Sequence, residues 1–193
     1  MTALESAGGP PRDGAARQRP FLPIADALAS CARGSGSLDE SARRLSHEEL
    51  RVARTFAGEG HDVKSVPERR GSGRTADLEV CGTPVEVKSW LALSDRRGVA
   101  PSPRSVVNKL ISAEGQSAVV VLSAAGSGLS ASDASAGVAR YATLRPRSNI
   151  SSVRVMGDGY DLSWRRSPSL ELRRSAARVP GRAAERGIGI EPL

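Results

Sequence analysis

Thr75-Ala76-Asp77-Leu78-Glu79-Val80, then Cys81-Gly82-Thr83-Pro84, then Val85-Glu86-Val87-Lys88-Ser89 is the stretch from which the fold is read. Polar and apolar residues alternate in both outer segments and turn-forming residues join them, so a tight β-hairpin is expected. Successive strand side chains point to opposite faces. Leu78, Val80, Val85 and Val87 therefore share a core-facing side, while Glu86 and Lys88 share the other with Asp77 and Glu79. Closing such a hairpin brings Asp77 near Glu86.

Working outward, Ser46 followed by Glu49 three residues on is a capping-box start, and Leu50, Val52, Ala53 and Phe56 form one apolar stripe. This predicts a helix of about three turns, ended at Gly58 or Gly60. Residues 62–66 alternate as a short strand does. Beyond the hairpin, Val106, Val107, Leu110 and Ile111 predict a helix from Pro103 or Ser105 to Glu114. The unbroken run Ala118-Val119-Val120-Val121-Leu122 suits a strand buried on both faces. A further helix over 131–144 and a late hairpin, 153–156 with 160–164, complete an α/β chain: a mixed β-sheet sandwiched by helices.

Residues 1–44 hold Gly-Gly-Pro-Pro and Gly-Ser-Gly-Ser with one apolar stretch, Phe21 to Leu28, and read as a flexible lead. Residues 166–193 read as a basic, disordered tail, leaving 45–165 as the one domain. Aromatics are only 3% of the 193 residues, so the core must be built from aliphatic side chains. The sequence shows neither a membrane-length apolar run nor a secretory signal, which points to a cytoplasmic setting without membrane insertion. Cys31 and Cys81 lie far apart and outside any metal-binding spacing, in keeping with a reduced compartment.

The net charge of +7 favours polyanionic partners such as nucleic acid. Residues 46–144 are nearly balanced, with 12 Arg or Lys against 11 Asp or Glu, whereas residues 145–193 carry 10 against 5. Lys64, Lys88 and Lys109 are the only lysines among 28 basic residues, which makes the lysine of Glu86-Val87-Lys88 conspicuous.

Two carboxylates brought together repel unless a cation separates them, and Mg²⁺ or Mn²⁺ is the usual solution for oxygen ligands. Asp77 and Glu86 are the expected ligands. Such an ion activates water and offsets charge at a phosphorus centre, and Lys88 supplies a compact positive charge beside it.

Thr75-Ala76-Asp77, eight intervening residues, and Glu86-Val87-Lys88 together resemble the D…ExK motif of the PD-(D/E)xK nuclease superfamily, with Ala76 where Pro is common. The resemblance implies a restriction-endonuclease-like core. It also implies that Glu49, on the first helix, joins Asp77 and Glu86 as a metal-binding and catalytic carboxylate. It continues through Gly60-His61-Asp62-Val63, Asn108-Lys109-Leu110 and Gln116-Ser117. From Glu49 to Leu144 the chain is similar to the C-terminal tRNA-nuclease toxin domains of bacterial contact-dependent growth inhibition (CdiA-type) systems. That implies tRNA as substrate, a cognate immunity protein as partner, and delivery into a target-cell cytoplasm. Arg74, Asn108, Lys109 and Gln116 are the candidate substrate contacts.

Plainer readings stand beside these. Asp77, Glu86 and Lys88 can be a solvated sheet face with a weak ion pair. Glu49 can be a first-turn acid favoured by the helix dipole. Asn108, Lys109 and Gln116 fit a polar helix face, Arg69, Arg70 and Arg74 a charged loop, and His61 a loop histidine. Trp90 can stack on a base or close the core. A DNA-directed nuclease of the same superfamily and a non-catalytic nucleic-acid-binding module are the two alternative functions.

Overall fold

The structure, a computed structural model, describes residues 21–24, 28, 34–68, 75–92 and 98–167. The elements in chain order are β1 (Phe21–Ile24), β2 (Ser37–Asp39), α1 (His47–Gly58), β3 (Asp62–Ser65), β4 (Leu78–Val80), β5 (Thr83–Ser89), α2 (Pro103–Ala113), β6 (Val119–Ser123), α3 (Ala131–Leu144), β7 (Ser152–Gly157) and β8 (Tyr160–Arg166). All eight strands join one mixed sheet in the order β1-β8-β7-β6-β5-β4-β3-β2. The pairings make β4 and β8 run against the other six.

Helices cover both faces of this sheet. On one, Val52, Ala53 and Phe56 of α1 pack with Val63, Leu78, Val85, Val87 and Val121. On the other, Val106 and Leu110 of α2 and Val138 and Tyr141 of α3 pack with Val120, Leu122, Val153 and Val155. Each such side chain, once buried, contributes about 1.5–3 kcal/mol. Every residue of β6 is buried, as its unbroken apolar run requires of a strand inside the sheet between two helical layers.

The expected α1 capping box is present: Glu49 N–H donates to Ser46 Oγ at 3.3 Å and Ser46 N–H to Glu49 Oε2 at 2.7 Å. The hairpin also forms, but its turn is shorter than expected. Cys81 and Gly82 alone reverse the chain, with φ of 46° and 78°, so Thr83 and Pro84 already belong to β5.

Two strands lie inside the segment read as a flexible lead. β1 pairs with β8 and β2 with β3, extending the sheet at both edges. Phe21–Ile24 and Ser37–Asp39 carry no polar–apolar alternation long enough to mark a strand and depend on a partner edge that local sequence does not reveal. At the other end β8 runs one residue past the expected domain limit, and the tail from 168 onward lies outside the described residues. Among the described residues no helix is long and apolar enough to cross a membrane.

Candidate active site

Because β3 and β5 are parallel and β4 antiparallel between them, the end of β5 and the start of β4 lie at the same end of these interior strands. Just before β4, Asp77 donates its N–H to Val85 O at 3.2 Å, and its carboxyl lies close enough to Glu86 for the two charges to interact. Lys88 projects past the start of β4 on the same face as Glu86. The three residues singled out in the hairpin are therefore neighbours, positioned by backbone pairing.

Their setting differs from a solvated sheet face. Val85 and Val87 enter the α1 core as expected, yet the opposite face is also covered, and the Glu86 side chain is only 1% exposed. Lys88 Nζ makes an ion pair with Glu86 Oε1. Even so, neither Glu86 oxygen receives a well-directed hydrogen bond from a described residue. Burial, with the Asp77 charge beside it, outweighs the help from Lys88 and pushes the Glu86 carboxyl up to about 7. Burial likewise raises Asp77, reinforced by the Glu49 charge and opposed by the Val87 N–H, which donates to Asp77 Oδ2 at 2.9 Å. Lys88 is thus the cation at Glu86, whose two oxygens still lack a directed donor. A divalent cation would satisfy these oxygens, and with Asp77 beside it Glu86 offers the hard carboxylate donors that Mg²⁺ or Mn²⁺ takes.

Glu49 reaches the cluster through another side chain. Arg43, in the connection from β2 to α1, donates from Nη1 to Glu49 Oε2 at 2.9 Å and from Nη2 to Glu49 Oε1 at 3.0 Å. Its Nη2 also lies 3.3 Å from Asp77 Oδ1 and 3.2 Å from Asp77 O, and its Nε donates to Val66 O at 2.9 Å. Burial works against the Glu49 charge, but Arg43 and Ser46 overcome it and bring the carboxyl down to about 2. Among the described residues, no three His, Cys, Asp or Glu side chains form a metal-ligand group.

Sequence reasoning missed Arg43, whose role follows from partners six and 34 residues away. It also missed a second polar cluster, in which Ser123 Oγ, at the end of β6, contacts both Glu48 and Arg51. Ser123 pairs in register with Ser89, on the α1 face of the sheet and opposite to that of Glu86 and Lys88.

The remaining candidates disperse. Asn108 is exposed on α2. Lys109 Nζ lies 5.8 Å from the centre of the half-buried Trp90 ring, just past β5. Gln116 lies before β6, beyond the end of the sheet away from Lys88. Arg69, Arg70 and Arg74 lie outside the described residues. His61, expected in a loop, is fully buried, edge-on to Phe56 and with Nδ1 3.8 Å from Cys81 Sγ. Two surface hollows beside His47 and Leu50 are lined by none of Arg43, Glu49, Asp77, Glu86 and Lys88, although Arg51 borders one of them.

Fold and site thus define an α/β chain whose mixed sheet carries a buried glutamate, a half-buried aspartate and an ammonium at one end of its central strands. No protein-family model matches the sequence, and no curated protein does. A solved structure to which the chain is similar is the CdiA-CT/CdiI toxin and immunity complex from Burkholderia pseudomallei. Identity is 21%, coverage is 68% of this chain and 100% of that one, and the TM-score is 0.46.

Proposed function

We propose that this chain is a metal-dependent endonuclease that hydrolyses phosphodiester bonds. The observation that carries the reading is the neighbouring pair Asp77 and Glu86, with Glu86 buried, short of hydrogen bonds and beside Lys88. Asp77 and Glu86 would hold Mg²⁺ or Mn²⁺, which would lower the pKa of a water and offset charge at phosphorus. Lys88, 24% exposed, reaches solvent and substrate from that buried anchor. Its ammonium orients the attacking water or a non-bridging phosphate oxygen, where a wide guanidinium would not fit as well. Water oxygen bonds to phosphorus and gives up a proton to solvent, the bond to the leaving oxygen breaks, and the leaving oxygen takes a proton from solvent. A toxin-type role, with tRNA as substrate and a cognate immunity protein as partner, rests on the resemblance of the sequence.

The test is incubation of the chain, Asp77→Ala and Lys88→Ala with total tRNA and with plasmid DNA, each with Mg²⁺ and with EDTA. Cleavage of tRNA by the parent alone, and only with metal, is expected. The loss in either variant should be at least about 100-fold, with circular dichroism unchanged. Cleavage confined to plasmid would replace tRNA with DNA, and intact nucleic acid throughout would overturn the enzyme.

A further inference from the structure

Three carboxylates border the candidate centre, but they are not equivalent. Both Glu49 oxygens accept from Arg43, and Oε2 also accepts the Ser46 N–H. Asp77 is shared: Oδ1 faces Arg43 and Oδ2 takes the Val87 N–H. Only Glu86 has oxygens without a well-directed hydrogen bond.

A dication on Glu49 would have to expel a guanidinium engaged through Nε and both terminal nitrogens, or sit against its full positive charge. Arg43 is held further by its backbone N–H, which donates to Ser65 Oγ at 3.2 Å, and its side chain is 17% exposed. A planar fork pinned by Val66, Glu49 and Asp77 is an installed charge with a fixed position.

From this geometry we infer that Arg43 is the cation serving Glu49 and the near side of Asp77. The centre takes one divalent ion, on Asp77 and Glu86, and Glu49 is the anchor of Arg43 rather than a metal ligand. Arg43 is thereby a positioning residue: it holds the Asp77 carboxylate against β5 and keeps a positive charge where a second ion would otherwise be needed. This rests on the metal-dependent reading above, but not on the identity of the nucleic acid.

Calorimetric titration of Mn²⁺ into the full chain tests it without any activity readout. The parent is expected to bind one ion. Glu49→Gln should bind one ion with a Kd within about threefold of the parent, whereas Asp77→Asn should weaken binding by at least about tenfold. Arg43→Gln frees Glu49 and should either admit a second ion or tighten the first by at least about tenfold. Arg43→Lys, a milder change whose folding is checked by circular dichroism, should keep the single ion. Weakening of about tenfold or more in Glu49→Gln, with Arg43→Gln indistinguishable from the parent, would make Glu49 a ligand and overturn this inference alone. Absence of binding to the parent would overturn it together with the metal-dependent reading.

Discussion

Glu86 is pushed up from 4.5 to about 7 because burial and the Asp77 charge outweigh its contact with Lys88. The folded chain therefore keeps a proton that the unfolded chain has released. The stability this contributes is complete below pH 4.5 and is lost as pH rises through about 7. Glu49 works in the opposite sense. Held near 2 by Arg43 and Ser46, it contributes stability above pH 4.5 that disappears as pH falls toward 2. Urea unfolding across this range, with EDTA present, should show stability declining from pH 4.5 to 7, and Glu86→Gln should flatten that decline. An unchanged slope in the variant would mean that another group titrates there. The identities of Asp77, Glu86 and Lys88 were legible from alternation alone, because a strand repeats every two residues. The burial of Glu86 was not, since it depends on what covers the second face of β5.

Elements were legible where a helix or strand period, or an unbroken apolar run, stood out between capping and turn residues. The capping box at Ser46 and Glu49 marked the start of α1, and the apolar run of β6 marked a strand covered on both sides. How helices cross is a different matter. A Cβ added at Gly137 of α3 would lie 2.5 Å from Val106 Cβ and 2.9 Å from Pro103 O, so α2 and α3 touch almost backbone to backbone there. Gly137→Ala should gain about 0.5–1 kcal/mol of helix propensity and lose about 1–3 kcal/mol to overpacking. Net destabilisation is expected in chemical denaturation, with part of it recovered in the double variant with Val106→Ala. A more stable Gly137→Ala chain would show that the helices separate at little cost.

Across the molecule, one buried cation ties the layers together. Arg154 on β7, 7% exposed, pairs with Glu59 just past α1 and with Asp161 on β8, while its guanidinium lies 5.0 Å from the centre of the Phe56 ring. Arg154→Gln should cost on the order of 3 kcal/mol, because it breaks the ion network within a packed interior. Combining Glu59→Gln, Asp161→Asn and Arg154→Met should restore most of that loss, since the acids no longer need a cation and Met keeps contact with Phe56. Equal losses in the single and triple variants, read from urea midpoints, would show that packing rather than charge pairing dominates at this position.

By itself the sequence determined the α/β class, the sequence of helices and strands from Ser46 to Trp164, and the juxtaposition of Asp77, Glu86 and Lys88. All of these follow from periods of 2.0 and 3.6 residues and from turn chemistry. Only the tertiary structure decided that residues 21–24 and 37–39 edge the sheet, that Glu86 is buried, and that Arg43 stands between Glu49 and Asp77. Those outcomes depend on contacts between residues distant along the chain, and no local pattern encodes which distant partner a short strand or a single guanidinium will meet.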